Sequence, residues 1–427
     1  MKIAIIGAGL AGSTLGVLLA REGADVTLFD DGRRPELLVG ESLVPALVPT
    51  LQRLGLEQEM AAFSQVKPGV SFIYSPTDRF SFRFARFAPA VFPYTYNTPR
   101  PRFDEVLLAA AIKAGVQRVV THAKLERAPE GAATEIVLAA ETLAAAPWLE
   151  NRQPDLIVDA TGRPRLTARM LGIGARTGPR KDVSHFAHYE NWKWNDPPGQ
   201  LVIVRLDAGW AWCIPLQERL SIGIVVDRED MNRLGKTPAE RLERAIATHW
   251  WMREIAGDAV RVTPIATYSN YQLVPERGHG PGWVMVGDAF GFVDPMLSPG
   301  VFLAIHSAEL VANALTPFVT KKSPPSPATV AAALVPYAAE QTAQLTAWME
   351  LVEYFYDGTM AALFRAGRDF MKGPLPAVRT IANHHIERHI ALQASGARTM
   401  SRYSRGLLRL LARHGLRGFQ PADLAIR

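Results

Sequence analysis

The sequence predicts an α/β fold with three parts: a parallel-sheet domain, an antiparallel-sheet domain inserted into it, and a helical C-terminal region. Three observations predict this fold. The chain opens with a strand, a glycine-rich turn, a helix and a second strand, which together form a parallel βαβ unit. Aromatic and polar residues alternate over 68–87, as in antiparallel strands. From Ala328 onward, Ala and Leu recur at helical spacing.

Each predicted element follows from its local pattern. The buried apolar runs predict strands, the 3.6-residue apolar spacing predicts helices, and the residues around Trp210 are strand-rich. The predicted strands are 2–6, 24–29, 155–159, 283–288 and several over 201–226, and the predicted helices are 11–22, 103–114 and 300–315. The resulting domains are a discontinuous dinucleotide-binding domain (1–66, 100–180 and 260–320), a sheet-containing substrate domain (67–99 and 181–259) and, after a Lys/Pro/Ser linker at 321–327, the helical region 328–427.

Composition excludes several classes of protein. With 427 residues and 48% apolar positions, the chain is long enough to bury a large core. No export signal is expected, and no transmembrane segment, because charged residues or Pro interrupt the apolar stretches. A single Cys, Cys213, excludes an intramolecular disulfide framework and suits a reducing cytoplasm. The net charge of +6 is modest, and no nucleic-acid motif accompanies it.

The first βαβ unit carries a dinucleotide-binding pattern. Gly7, Gly9 and Gly12 form G-x-G-x-x-G directly after a strand, and Asp30 ends the next strand. The first glycine permits the tight turn, the second admits the pyrophosphate, and the third permits close helix packing. The helix N-terminus stabilises the anion, and Asp30 would accept hydrogen bonds from a ribose. The alternative is a glycine-rich turn that binds nothing.

Three later segments distinguish FAD from NAD. Gly287-Asp288 follows a buried strand, Arg100-Pro-Arg-Phe-Asp reads R-x-x-F-D, and Asp159 opens Asp-Ala-Thr-Gly. They resemble, in the same order, the motifs of the FAD-dependent aromatic hydroxylase superfamily. The resemblance implies a Rossmann-like, GR2-type FAD-binding domain. It also implies that Arg100, Asp159, Gly287 and Asp288 contribute to the flavin site.

Trp210-Ala-Trp212-Cys-Ile214-Pro reads W-x-W-x-I-P. On a strand the two indoles and Ile214 share one face and form a rigid wall. The motif resembles that of the flavin-dependent halogenases, where this wall is thought to keep the organic substrate from the flavin while a halide reaches it. The resemblance makes Trp210 and Trp212 catalytic candidates. The alternative is that they are core residues of a half-buried strand.

Lys67 is the third catalytic candidate. Val66-Lys67-Pro-Gly-Val-Ser-Phe resembles the segment around the essential lysine of phenol- and pyrrole-type halogenases. A buried amine can donate a hydrogen bond to an electrophilic halogen or accept the halogen itself, and burial lowers its pKa toward neutrality. The alternative is a solvated lysine at a strand start.

The segment from Asp294 to Val301 resembles the D-P-x-x-S-x-G-V segment that holds flavin and halide in these enzymes. Pro295, Gly300 and Val301 are therefore expected at the flavin. Ser298, Pro299 and Gly300 are expected at the halide, because N–H groups at a helix N-terminus bind anions. A helix start packed on the flavin alone would suit a hydroxylase equally well.

Gly40-Glu41-Ser-Leu-Val-Pro resembles a halogenase loop that covers the flavin, with Glu41 as a structural acceptor rather than a base. The resemblance covers about residues 1 to 315. The glutamate-containing segment that positions indole in tryptophan halogenases has no counterpart, so tryptophan is not the expected substrate.

Two patterns in the helical region have ordinary explanations. His384, His385 and His389 share a helical face, but with no Cys or carboxylate partner they predict a surface helix, and no metal site is expected. The helix 401–416 alternates Arg with Leu. This pattern favours a solvated basic face packed by its leucines over a membrane or acidic carrier contact.

Four aromatic residues precede them. Trp348, Tyr354, Phe355 and Tyr356 are expected to line or cap a cavity for an aromatic substrate rather than to stack nucleic acid.

Together these features predict a two-component, FADH2-dependent halogenase of secondary metabolism. Gly172-Ile-Gly174 has the wrong spacing for a second nucleotide site, so a separate flavin reductase would supply FADH2. Through a flavin hydroperoxide and hypohalous acid, chloride or bromide would be installed on a phenol or pyrrole, free or tethered to a carrier protein. The alternatives are an FAD-dependent aromatic hydroxylase or reductase of this fold, or a non-catalytic flavin-binding partner in a biosynthetic assembly.

Overall fold

The computed structural model describes residues 1–33, 35–269, 272–321, 323–416 and 418–426. Lys322 of the predicted linker, and Asn270 and Tyr271 of the first predicted domain, lie outside the described residues, as do Arg34, Arg417 and Arg427. The strands are β1 (Lys2–Ile6), β2 (Asp25–Asp30), β3 (Gln65–Lys67), β4 (Gly69–Ile73), β5 (Arg79–Arg83), β6 (Thr95–Asn97), β7 (Gln117–Val120), β8 (Leu125–Arg127), β9 (Ile136–Leu138), β10 (Leu156–Asp159), β11 (Ala175–Thr177), β12 (Asp182–Glu190), β13 (Leu201–Arg205), β14 (Trp210–Pro215), β15 (Leu220–Asp227), β16 (Val260–Arg261), β17 (Ala266–Ser269), β18 (Leu273–Pro275), β19 (His279–Gly280) and β20 (Trp283–Met285). The helices are α1 (Leu10–Arg21), α2 (Val48–Leu54), α3 (Glu57–Ala61), α4 (Arg100–Lys113), α5 (Ala140–Ala144), α6 (Leu166–Leu171), α7 (Met231–Leu234), α8 (Pro238–Thr248), α9 (Trp250–Ala256), α10 (Gly300–Val319), α11 (Pro327–Ala333), α12 (Val335–Tyr356), α13 (Thr359–Met371), α14 (Pro376–Ala394) and α15 (Arg402–His414).

The first sheet has six strands in the order β19-β20-β10-β1-β2-β7. All neighbours pair in parallel except β19 and β20. Because parallel strands end at the same edge, the segments that follow β1, β10 and β20 meet there. These segments are the glycine-rich turn, the loop after Asp159 and the turn at Gly287. The sheet thus brings together three motifs that are far apart in sequence.

The second sheet has the order β16-β12-β15-β14-β13-β4-β5, and β17 also pairs with β12. Its pairs are antiparallel except that β4 runs parallel to β13. Strands β16 and β17 fall within 260–320, which the sequence analysis assigned to the first domain. They pair with β12, so the second sheet continues to Ser269. The extent of the second sheet depends on pairing between strands that are distant in sequence, and local periodicity carries no information about such pairing.

Strand β14 is buried on both faces. Trp210, Trp212 and Ile214 face the larger core, which is shared with the first sheet, whereas Ala211 and Cys213 face a separate core. That second core is closed by helices α8 and α9, through residues such as Leu242 and Trp251. The alternation expected of a strand therefore directs both indoles toward the first sheet.

Helices α11 to α15 form the C-terminal region. Leu408 of α15 is fully buried, while Arg405 and Arg409 both bind Glu350 of α12. His389 of α14 hydrogen-bonds Ser404 of α15. Over the described ranges, no group of three His, Cys, Asp or Glu side chains is arranged to hold a metal ion.

Helix α10 has the length and apolar composition of a membrane span. It packs on α1 and α12, and 56% of its most apolar window is buried inside the protein. This burial is that of a core helix, and Glu309 on α10 accepts a hydrogen bond from Thr50.

Candidate active site

A cavity of about 530 Å³ lies along the carboxyl edge of the first sheet and reaches the tryptophan strand of the second. Its lining includes Gly7, Gly9, Asp30, Gly40, Glu41, Ser42, Arg100, Thr161, Arg163, Leu201, Ile203, Trp210, Trp212, Ile214, Tyr268, Asp288, Asp294, Pro295, Leu297, Ser298, Gly300 and Val301. Most of the predicted cofactor-binding residues therefore share one space.

Each of the three glycines in the first turn occupies its position for a different structural reason. Gly7 adopts φ +110°, and a Cβ there would lie 2.4 Å from the Ala160 oxygen. A Cβ on Gly12 would lie 2.0 Å from the Gly7 oxygen, so Gly12 permits the close start of α1 behind the cavity. At Gly9 an added Cβ would meet no atom within 4 Å. Gly9 thus faces open space in front of the helix N-terminus, where an anionic group fits.

Asp30 ends β2 inside the cavity and is only 1% exposed. Its Oδ2 accepts hydrogen bonds from Arg118 Nε at 2.9 Å and Nη2 at 2.5 Å, and its Oδ1 from the Gly32 backbone N–H at 3.1 Å. Sequence reasoning missed Arg118, because only the pairing of β2 with β7 brings it beside Asp30.

Arg100 lies at the start of α4 and is held in place by the chain. It donates to Asp104 Oδ1 at 2.9 Å and to the Val39 oxygen at 2.5 Å. Burial acts to lower the pKa of Arg100, but Asp104, Asp288 and Glu41 outweigh it and raise that pKa. A Cβ on Gly40 would lie 2.7 Å from Arg100 Nη1, so the loop needs glycine there.

Asp288 projects into the cavity from the turn after β20. Burial raises the pKa of its carboxyl group to about 6, against the opposing charges of Arg163 and Arg100. Arg163 lies over the Tyr268 and Phe292 rings and was not predicted from sequence. A cavity-lining carboxylate subject to the charges of two arginines is a suitable acceptor for ligand hydroxyl groups.

Asp159 and Gly287 lie behind the lining rather than in it. Asp159 accepts hydrogen bonds from Thr161 Oγ1 at 2.6 Å and from Thr167 N at 2.7 Å. Gly287 has φ +59° and donates its N–H to Ser307 Oγ. In this structure Asp159 therefore shapes the loop that meets the cavity, and the contribution of both residues to the flavin site stays a prediction.

The loop before α10 is conformationally unusual. Leu297 and Ser298 both have positive φ, 66° and 61°. Such backbone costs on the order of 1–3 kcal/mol per residue and clusters at ligand sites. Ser298, Gly300 and Val301 line the cavity next to the N-terminus of α10. Pro299 is buried, is not among the lining residues and has no N–H, and its assignment to the halide stays a prediction.

The two indoles form one wall of the cavity. Trp210 and Trp212 have ring centroids 5.9 Å apart, with the planes at 53°, and Ile214 continues the same face. Trp212 Nε1 donates to Ser221 Oγ at 3.3 Å, and Trp210 Nε1 donates to the Tyr356 hydroxyl at 2.9 Å. Both indole N–H groups are thus satisfied within the protein.

The aromatic residues of α12 lie behind this wall. Tyr356 donates to Asp294 Oδ1 at 3.1 Å, and Phe355 packs on Phe72 with centroids 5.1 Å apart. Trp348 is fully buried, and Tyr354 is half-buried. None of these four is among the described residues that line the cavity, and their place at an aromatic substrate stays a prediction. Tyr356 supports the wall instead.

Lys67 lies one side chain beyond the cavity and is 2% exposed. Its Nζ donates to Ser42 Oγ at 2.8 Å and to the Leu43 oxygen at 2.9 Å, and it lies 5.7 Å from the centre of the Phe84 ring. Burial lowers the pKa of Lys67 from 10.5 to about 7. Because Ser42 lines the cavity, it stands between that space and the amine.

Glu41, next to Ser42, is almost fully buried. His188 Nε2 lies 2.7 Å from Glu41 Oε1, and the Glu41 backbone oxygen accepts the Thr98 N–H at 2.7 Å. The predicted segment thus forms a rigid loop over the cavity.

The fold and the cavity define the class: an α/β nucleotide-binding protein of the flavoprotein type, with a second sheet closing the site. The flavin-dependent brominase Bmp2 has this fold, with a TM-score of 0.77 at 20% identity over 98% of this chain and 100% of that chain. Halogenase PltM in complex with phloroglucinol and FAD gives 0.72 at 18% identity, covering 99% of this chain and 93% of that chain.

The chain belongs to the tryptophan halogenase family, whose model matches residues 2–92 and 86–361. It is 30% identical to a tryptophan 2-halogenase of Chondromyces crocatus over 73% of this chain and 60% of the relative. It is 27% identical to a 1H-pyrrole-2-carbonyl peptidyl-carrier protein brominase of Pseudoalteromonas luteoviolacea, over 73% of this chain and 76% of the relative. The chain thus spans about 60% of the length of the first of these relatives.

Proposed function

We propose that the protein is an FADH2-dependent halogenase that installs chloride or bromide on an electron-rich phenol or pyrrole. The observation that carries this proposal is the arrangement of Lys67. A fully buried amine with a pKa of about 7 lies just beyond a cavity walled by Trp210 and Trp212. Membership of the halogenase family supports it.

We further propose that the first sheet belongs to a GR2-type, Rossmann-like FAD domain built from 1–66, 100–180 and 260–320, less β16 and β17. The second domain is then 67–99 and 181–259 with those two strands, and the helical region is 328–427. The residues present fit FAD. Gly9 leaves room for the pyrophosphate, Asp30 offers an acceptor to the ribose, and Arg100 and Asp288 also line the cavity.

Reduced FAD, when bound, supplies with oxygen the oxidising equivalent that converts a halide into hypohalous acid. The chain contributes the halide site. The N–H groups of Gly300 and Val301 begin a 20-residue helix, and Ser298 adds a hydroxyl donor. The strained backbone at Leu297 and Ser298 shapes the approach to that helix end.

The indole wall decides which chemistry follows. Trp210, Trp212 and Ile214 fill the side of the cavity that faces the second sheet, so an aromatic ring on the far side is kept from the flavin. A hydroxylase needs direct approach of its substrate to the flavin. A halogenase needs only a small neutral acid to pass, and Lys67 is buried directly behind Ser42 of the cavity lining.

The substrate side of Lys67 is apolar. Phe84 belongs to a buried apolar cluster with Phe87, Val91, Ala391 and Leu392. We favour phenols and pyrroles over tryptophan, because the glutamate-containing segment that positions indole has no counterpart. Since one relative is named for a pyrrole tethered to a peptidyl-carrier protein, we include carrier-bound substrates.

Reduced flavin is proposed to come from a separate reductase in the cytoplasm. Gly172 and Gly174 do not form a second nucleotide-binding turn, because they follow helix α6 and not a strand. Gly172 ends α6 with φ +68°.

The test is incubation with a flavin reductase, FAD, NADH and bromide against phenols, pyrroles and tryptophan, with products identified by bromine isotope pattern. Lys67→Ala should abolish halogenation while FAD binding persists, whereas Lys113→Ala, at the exposed end of α4, should leave it unchanged. Insertion of oxygen without halogen would favour a hydroxylase. Tight binding of a carrier protein with no turnover of any aromatic would favour a non-catalytic partner.

A further inference from the structure

Three side chains form a polar network at the junction between the cavity and Lys67. Asn97 of β6 donates its Nδ2 to the Gly199 and Pro215 oxygens, both at 3.0 Å. These two acceptors fix the amide orientation, so Asn97 Oδ1 must accept. It does so from Ser42 Oγ at 2.9 Å. The Ser42 hydroxyl hydrogen is thereby committed to Asn97.

The fixed hydroxyl determines how Lys67 is held. Because Ser42 donates to Asn97, only its lone pairs can meet Lys67 Nζ, 2.8 Å away, and the amine must be the donor. The Leu43 oxygen, at 2.9 Å, accepts a second N–H. A neutral amine has two hydrogens, and both are then bonded. Among the described contacts, its lone pair is the one unengaged position.

We propose that Ser42, oriented by Asn97, is a positioning residue: it accepts one N–H of the neutral Lys67 amine and so keeps the lone pair of that amine free for the incoming hypohalous acid. This inference rests on the proposed function. The amine nitrogen attacks the halogen of HOX as the O–X bond breaks, and the N–H proton leaves with hydroxide as water, giving Lys67–NHX. Transfer of X to the aromatic ring in exchange for a ring proton restores the amine. An ammonium group would have no lone pair for this step.

The location of Ser42 supports the same role. Ser42 lines the cavity, whereas the Lys67 amine lies behind it beside Phe84. All of Ser42, Lys67 and Asn97 are at most 2% exposed, so water does not compete for these hydrogen bonds. The backbone adds rigidity, because Ser42 forms an isolated bridge with Asn97 and Lys67 pairs with Thr95.

The test compares Ser42→Ala with Ser42→Thr, which keeps a hydroxyl oxygen. Reaction of Lys67 with cyanate, followed by peptide mass spectrometry across pH, reports the pKa of the amine without flavin, halide or aromatic. In Ser42→Ala the midpoint should fall by about one pH unit, because an acceptor that favours the ammonium form is lost. Halogenation should nevertheless fall roughly tenfold to a hundredfold, because the amine loses its orientation. In Ser42→Thr both the midpoint and the halogenation rate should stay near those of the wild type.

Two further variants complete the design. Ser42→Cys, a weaker acceptor of similar size, should fall between Ala and wild type even where Ala folds poorly. Ser404→Ala removes another fully buried hydroxyl, bonded to His389, and should change neither readout. An unchanged cyanate midpoint in Ser42→Ala overturns the proposal, whether or not halogenation falls. If wild type gives no halogenated product but its midpoint shifts as expected, the proposed function fails and the positioning of the amine stands.

Discussion

Replacing Lys67 by Met should raise the stability of the protein near neutral pH. Methionine has similar length and fills an apolar site without a charge. The pKa of Lys67 falls from 10.5 to about 7 on folding. Between these values the unfolded chain binds more protons than the folded protein, so wild-type stability rises with pH. Lysine at this site therefore destabilises the folded protein, and it does so less in alkaline solution.

The magnitude follows from the shift. A difference of about 3.5 pKa units, at about 1.4 kcal/mol each, costs about 5 kcal/mol well below pH 7, about 4 at pH 7 and about 2 at about pH 9. Lys67→Met also leaves the Leu43 oxygen without its side-chain donor, which costs about 1–3 kcal/mol at any pH. The variant should be more stable by about 1–3 kcal/mol at pH 7 and about equal to wild type near pH 9.

Urea unfolding of the FAD-free proteins, followed by tryptophan fluorescence, measures this effect. The decisive quantity is the change in the difference between variant and wild type from about pH 7 to about pH 9, which should be about 2 kcal/mol. The free-energy contribution of the unpaired Leu43 oxygen does not depend on pH, so it cancels in this change. Lys113→Met, at an exposed site, should show no such change. A difference that stays constant with pH would mean that Lys67 remains charged in the folded protein, and the reasoning about its amine would fail.

Three other perturbations test the cavity. Gly9→Ala should keep the fold but weaken FAD binding. Gly12→Ala should lower the melting temperature, because its Cβ would lie 2.0 Å from a backbone oxygen. Equal melting temperatures of the two variants would contradict this. Tyr356→Phe leaves the buried Trp210 N–H without its acceptor and should cost roughly 1–3 kcal/mol and shift tryptophan fluorescence; unchanged urea unfolding would exclude the role of Tyr356 in holding the wall. The affinity for FAD should fall as the pH drops through about 6, because Asp288 takes up a proton there, and Asp288→Asn should remove that pH dependence. A wild-type affinity that stays constant across this pH range would contradict the prediction.

Local patterns predicted the parts of the site that lie within single elements. The glycine spacing specifies one turn, and the alternation of Trp210 and Trp212 specifies one strand face. Neither depends on the rest of the chain. The start of α10 at Gly300 is likewise local, since Pro299 precedes it.

The missed features depend on contacts between distant elements. Arg118 reaches Asp30 only because β7 follows β2 in the sheet, and Tyr356 reaches Trp210 only through the packing of α12. Pro299 differs from its neighbours at the start of α10 for a local reason, because backbone anion binding needs N–H groups and proline has none.

The position of Ser42 gives the separation of flavin and substrate a second component. In the proposed function the tryptophans exclude an aromatic ring by size, but size alone would let hypohalous acid diffuse onward to any reactive side chain. An amine held immediately behind a cavity-lining hydroxyl captures the halogen close to where it leaves the cavity. The stability lost by burying Lys67 then has a functional counterpart, because burial brings its pKa to about 7, so that a large fraction of the amine is neutral near that pH and can react.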